Sequence, residues 1–185
     1  MKSMNLFEYS SKFLYLQIIL VRHPFDRLVS AFNAKMRPEG GQTEYYAEIS
    51  RKINADYKHL RGKGAEKDDG FAIFQDFARY LSQLGGPEKR DHHWRQYSAL
   101  CNLCNHNLDI IMKFDTYKED LRYVKHFLNV EEEHLQDFFP EKETRTNSNM
   151  TETYFKTVPL NIRRKLYELY KDDFEYFGYE KPSYV

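Results

Sequence analysis

The sequence predicts an α/β fold, a parallel sheet flanked by helices. A short apolar run rich in β-branched residues, 16–21, suits a strand covered on both faces, and 108–114 reads as another parallel strand. Amphipathic stretches at helical spacing lie between and after them, and strands alternating with helices build such a sheet. No internal repeat or second domain is visible in 185 residues, a length that supports one core without stapling.

The first run, Leu16-Gln-Ile-Ile-Leu-Val21, stops at a polar turn. Pro24 suits a first helical turn, where a missing N–H is harmless, and Phe25, Leu28, Val29, Phe32 and Met36 form an apolar stripe. A second helix is expected over 45–60. The segment 60–70, with three glycines and mixed charge, reads as a flexible loop. Residues 71–81 carry apolar side chains at helical intervals, and Gly85-Gly86-Pro87 ends that helix. The aromatic stripe there suits a core. After the second strand, Asp115 or Thr116 caps a helix over 117–128. A C-terminal helix is expected over 159–170, with Leu160, Ile162, Leu166 and Leu169 near one face.

Charge narrows the function classes. Lys and Arg number 28 and so do Asp and Glu, so there is no basic excess of the kind that binds nucleic acid by counterion release. Arg51, Lys52, Lys58, Arg61, Lys63 and Lys67 do crowd one stretch. An anionic ligand would be drawn to them, or they are simply a solvated loop. No run reaches the length of a membrane span, and residues 1–20 lack the parts of a signal peptide. Asn149-Met150-Thr151 is an N-glycosylation sequon in a polar stretch, 141–152, expected to be an exposed loop.

The strand–turn–helix at 16–32 is the most informative segment. Arg22 stands at the carboxyl end of the strand beside a helix N-terminus, whose free N–H groups favour an anion, and Ser30 lies two turns along. A phosphate suits that pair, because Arg offers a fixed fork of donors and a hydroxyl adds an orienting hydrogen bond. Alone, the pattern also fits an ordinary strand–turn–helix with a solvated Arg. Magnesium ligands and a complete phosphate-gripping loop, which a nucleotide kinase needs, are not found.

Five blocks extend the pattern. They are Val21-Arg-His-Pro-Phe-Asp-Arg-Leu-Val-Ser-Ala-Phe32, His93-Trp94-Arg95, Leu100-Cys101-Asn-Leu-Cys104, Leu108-Asp-Ile-Ile-Met-Lys113-Phe-Asp-Thr116 and the stretch 166–179. In kind and order they resemble the Golgi carbohydrate sulfotransferases, including those that sulfate chondroitin, dermatan and the HNK-1 glycan. Gln96, Leu103 and Met112 depart from the family's usual Pro, Pro and Gly.

The resemblance implies a P-loop-like nucleotide-binding sulfotransferase fold and transfer of a sulfuryl group from the donor PAPS to a glycan hydroxyl, with no metal. It implies Arg22 and Ser30 as ligands of the donor's 3′-phosphate. It also implies a luminal catalytic domain of a single-pass Golgi membrane protein and an acceptor that is itself anionic. The family's loop for the 5′-phosphosulfate and its membrane anchor are not found in residues 1–12, so the expectation is a single, N-terminally incomplete domain over 1–185. A truncated, non-catalytic PAPS or glycan binder is the alternative.

Sulfuryl transfer needs a base for the attacking hydroxyl, and His93 is the candidate because imidazole titrates near neutrality. A His beside a Trp is also a common packing pair, and Asp91 is another carboxylate within reach. Arg95 and Lys113 are candidates to contact the sulfate or the glycan. Trp94 either stacks on a sugar ring or fills the core. Cys101-x-x-Cys104 lies near His92, His93 and His106, but a second ligand pair at zinc spacing is missing. In the oxidising lumen that the resemblance implies, these cysteines are expected in a disulfide, with each other or with cysteines elsewhere, and free thiols are the next alternative.

Overall fold

The computed structural model describes residues 16–62, 68–101, 103–105, 107–129 and 147–185, the side chain of Cys104 excepted. Along the chain run β1 (Ile18–Val21), α1 (Pro24–Ala31), α2 (Glu44–Tyr57), α3 (Phe74–Gln83), α4 (Tyr97–Leu100), β2 (Ile110–Lys113), α5 (Tyr117–Leu128), α6 (Ser148–Lys156) and α7 (Leu160–Tyr176). The class is mixed α/β and mostly helical. The chain divides into two compact units, Met1–Arg22 with Asn102–Pro140 and His23–Cys101 with Glu141–Val185.

In the first unit, β1 and β2 pair in parallel with Ile18 opposite Ile110 and Val21 opposite Lys113. The ladder closes at both ends. Asp109 accepts the Gln17 N–H through its carboxylate at 2.8 Å, and the Phe114 N–H donates to the Val21 carbonyl at 2.8 Å. Asp120, in the first turn of α5, accepts both the Lys113 N–H and the Thr116 hydroxyl and so ties strand to helix. Thr116 occupies the N-cap position, as expected, but its side chain turns to Asp120 instead of to the helix N–H groups. Asn129 ends α5 in the left-handed region at φ 51°.

The expectation of a first strand covered on both faces is corrected here. Ile18, Ile19 and Leu20 are half-buried and Ile111 is exposed, while Val21 and Met112 are buried completely. Among the described residues the sheet has these two strands only, so each strand has a neighbour on one edge.

The second unit is a helical assembly around one apolar core. The stripe predicted for the first helix is buried throughout: Phe25, Leu28, Val29, Phe32 and Met36 all face that core. Phe25 stacks on Phe155 of α6 with centroids 4.1 Å apart and meets Phe174 of α7 edge-on at 5.1 Å. Phe32 meets Phe74 of α3 edge-on at 5.4 Å. Such geometries suit the ring quadrupoles and add to the burial of large apolar surface.

After Ala31 the backbone widens into a π-turn over Phe32–Met36. Widening frees carbonyls from the i→i−4 ladder, and a buried one needs a partner. Ser50 of α2 supplies it, donating to the Met36 carbonyl at 2.7 Å while its oxygen accepts the Ala72 N–H at 3.1 Å. The chain then turns sharply at Gly40. A Cβ there would lie 1.9 Å from the Asn33 carbonyl oxygen, so only glycine fits.

Other boundaries differ from expectation for identifiable reasons. The helix expected from residue 71 begins at Phe74, because Asp76 accepts the Ile73 N–H and fixes 71–73 as an extended lead-in. The C-terminal helix runs on to Tyr176, since Tyr170, Asp173 and Phe174 are also buried by it. The polar stretch expected to be a loop contains the start of α6, whose N-cap Asn147 accepts the Met150 N–H at 2.9 Å. Residues 141–146 lie outside the described residues, as do 1–15. No helix among the described residues is long and apolar enough to cross a membrane.

Candidate active site

The segment 88–98 is a tight turn leading into α4, and its shape begins with Asp91. The Asp91 carbonyl accepts the N–H groups of Trp94 at 3.0 Å and Arg95 at 2.8 Å. Its carboxylate folds back on the same turn, where Oδ1 accepts the His93 N–H at 2.9 Å, as Asp side chains do in turns. The His93 ring is thereby brought over the carboxylate, with Nδ1 2.7 Å from Oδ1. Tyr46 of α2 completes the cluster. Its hydroxyl donates to Asp91 Oδ2 at 3.1 Å and lies 3.0 Å from His93 Nδ1.

Electrostatics follow from these contacts. Burial alone would raise the Asp91 carboxyl, but hydrogen bonds from the His93 N–H, the His93 ring and Tyr46 bring it below its ordinary value. The Tyr46 phenol is pushed up to about 12 by burial and by the Asp91 charge. Asp91 is therefore an anion that accepts and Tyr46 a neutral group that donates. The His93 side chain retains 28% exposure. His92 is more exposed, lies over the His93 ring with centroids 3.9 Å apart, and brings Nδ1 to 3.5 Å from Asp91 Oδ1. The donor atoms of Asp91, His92 and His93 lie within 4.8 Å of one another, but the carboxylate and His93 Nδ1 are turned on each other.

Arg27 of α1 clamps the turn from one side. Its guanidinium donates to the carbonyls of Arg95 at 2.5 Å and His92 at 2.7 Å, and it lies over the Tyr97 ring at 4.1 Å. From α7, Tyr170 donates to the Trp94 carbonyl, and Asp173 accepts the N–H groups of Tyr97 at 2.7 Å and Ser98 at 2.9 Å. Burial raises the Asp173 carboxyl despite those two hydrogen bonds. Gln96 reaches the Leu169 carbonyl at 2.9 Å. Two helices, α1 and α7, thus fix the His92–Ser98 segment.

Several sequence-based candidates find other roles. Trp94 is 2% exposed and packs edge-on against Phe77 at 5.4 Å, so it fills the core and offers no face to a sugar ring. Arg95 folds back on its own segment, donating to the Arg90 carbonyl from Nε at 3.0 Å and Nη2 at 2.7 Å. The basic stretch near 51–61 is largely neutralised where it is described. Arg61 pairs with the buried Asp76, Lys58 with Asp68 and Arg51 with Glu44, while Lys63 and Lys67 lie outside the described residues.

Arg22 follows β1 in the first unit, with its guanidinium 5.4 Å from the Phe114 ring centroid. Lys113 ends β2 in the same unit. Ser30 is on α1 in the second unit, half-buried. Cys101 is a free thiol whose pKa burial pushes up. The Cys104 side chain and His106 lie outside the described residues. Asn149 is exposed on the first turn of α6.

Sequence reasoning missed Arg27, Tyr46 and Asp173. Arg27 did stand inside the first motif block, but Tyr46 and Asp173 reach the turn from 47 and 76 residues away and carry no local signal.

With this geometry, the chain belongs to the sulfotransferase family, whose model matches residues 1–180. Mouse (Mus musculus) carbohydrate sulfotransferase 12 is 33% identical over 176 residues, covering 91% of this chain and 41% of that protein. Carbohydrate sulfotransferase 11 of Rattus norvegicus is 30% identical over 173 residues, covering 92% of this chain and 49% of that protein. Carbohydrate sulfotransferase 10 of Xenopus laevis is 32% identical over 187 residues, again covering 92% and 49%. The chain spans less than half the length of these curated relatives. No solved structure matches it.

Proposed function

We propose that this chain carries out sulfuryl transfer from PAPS to a hydroxyl of a glycan, in carbohydrate biosynthesis. The observation that carries the reading is His93, a partly exposed imidazole held through one nitrogen, in a chain similar to carbohydrate sulfotransferases over more than nine-tenths of its length. Held in this way, the ring keeps its second nitrogen for a proton.

In the reaction, the acceptor hydroxyl gives its proton to His93 as its oxygen forms a bond to the sulfur of PAPS. The bond from sulfur to the bridging phosphate oxygen breaks, and its electron pair stays on that oxygen in the leaving 3′-phosphoadenosine 5′-phosphate. The proton then passes from His93 to water. In-line geometry and stabilisation of the leaving charge are what the protein must add.

The sequence resemblance assigns the donor's 3′-phosphate to Arg22 and Ser30, residue types suited to a dianion. It also supports a P-loop-like nucleotide-binding fold, an anionic glycan as acceptor with Lys113 as its contact, and a Golgi luminal setting. Asn149 agrees with that setting, being an exposed sequon asparagine on the first turn of α6. No metal is required for the steps above.

The test is transfer of radiolabelled sulfate from PAPS to a panel of desulfated chondroitin, dermatan and heparan chains. Labelled glycan that depends on PAPS, and is lost in His93→Ala and Arg22→Ala chains that still fold, is the expected result. Transfer that is unchanged in His93→Ala overturns the assigned base.

A further inference from the structure

We infer that Asp91 is a positioning residue that holds His93 in the tautomer protonated on Nδ1, with Tyr46 as the second anchor of the carboxylate. The inference rests on the sulfotransferase reading and deepens it.

A carboxylate offers acceptors only, so a 2.7 Å approach of His93 Nδ1 to Asp91 Oδ1 requires the ring proton to sit on Nδ1. Neutral imidazole has one N–H, and Nε2 is then the nitrogen with the lone pair. A general base needs that arrangement. The opposite tautomer would present an N–H to the acceptor hydroxyl and could not take its proton.

Two further contacts make the arrangement specific. Asp91 Oδ1 also accepts the His93 main-chain N–H, so backbone and ring of one residue are fixed by one oxygen. Tyr46 donates to Oδ2 at 3.1 Å, which stops the carboxylate from rotating away and occupies its other oxygen. Arg27 holds the carbonyls of His92 and Arg95, so the turn itself is rigid under the pair.

The test is the His93 tautomer, read from long-range proton–nitrogen correlation spectra of the chain labelled at histidine nitrogens, with His93→Gln to assign the signal. Wild type is expected in the Nδ1–H form. Asp91→Asn is expected to lose that preference, with kcat lower by about 100-fold and KM within about threefold. Tyr46→Phe keeps the Nδ1–H form and lowers kcat by about threefold to tenfold.

A wild-type His93 in the Nε2–H form overturns the inference, whether or not Asp91→Asn folds. So does a folded Asp91→Asn chain with unchanged kcat. Absence of sulfate transfer by wild type would instead remove the sulfotransferase reading, and the tautomer would still report on the Asp91–His93 pair.

Discussion

Arg27 and Tyr97 stack in the second unit, with the guanidinium 4.1 Å from the ring centroid while its nitrogens donate to the carbonyls of His92 and Arg95. One side chain therefore joins α1 to both ends of the turn that carries His93. A point charge such as lysine cannot reproduce a planar fork that stacks and bonds two carbonyls at once. Arg27→Lys is expected to lower stability by about 1–3 kcal/mol and to reduce kcat more than a surface Arg→Lys change does. Urea denaturation of the two chains checks the first part.

Asp173 holds the start of α4, where the turn ends. Its carboxylate accepts the Tyr97 and Ser98 N–H groups inside the protein, and Asp173→Ala strands both donors. A loss of about 1–3 kcal/mol is expected from two partly buried N–H groups left without their acceptor. Asp173→Asn keeps one acceptor oxygen and should lose less. Thermal melts of the pair rank them, and equal losses would contradict the geometry.

The ion pair of Arg61 with Asp76 gives a third case. Arg61 is 7% exposed and Asp76 fully buried, and Asp76 also accepts the Ile73 N–H that starts α3. Removing the carboxylate leaves a buried charge and an uncapped helix end. Asp76→Ala is expected to cost about 3–5 kcal/mol, with the double change Arg61→Met/Asp76→Leu costing less because it removes both members of the buried pair and leaves neither charge uncompensated. Denaturant midpoints of both variants test the order.

Much of the fold was legible because periodicity is local. The stripe Phe25, Leu28, Val29, Phe32 and Met36 repeats at helical spacing, and every member is buried. Strand burial was not legible, since Ile19 and Ile111 look alike in sequence whether or not an element covers them. The site divides in the same way. His93 could be singled out by residue type, and Asp91 lies two positions away. Tyr46 arrives from another helix, and only the packing of α2 against the turn shows it. Trp94 fitted both a sugar platform and a core residue, and tertiary packing against Phe77 and Tyr46 decided for the core.

Acid should expose the Asp91 contacts. Its carboxyl is lowered in the folded chain from an ordinary value of 3.8. Between the lowered and the ordinary value the unfolded chain binds more protons, so stability rises with pH there. The contribution is complete above pH 3.8 and is lost as pH falls through the lowered value. Melting temperatures of wild type and Asp91→Asn should therefore converge as pH falls below the ordinary value of 3.8. A gap that widens in acid contradicts the hydrogen bonds assigned to Asp91.

Recognition of the sulfate donor is tested most directly by the thermal shift of the chain with 3′-phosphoadenosine 5′-phosphate against AMP. These ligands differ by the 3′-phosphate that Arg22 and Ser30 are proposed to hold. At 100 times its dissociation constant a ligand stabilises by about 2.7 kcal/mol, readily visible as a shift. Stabilisation by the 3′-phosphorylated nucleotide alone, abolished in Arg22→Ala, is the predicted result. Equal shifts with both nucleotides, or a shift that survives Arg22→Ala, would contradict it.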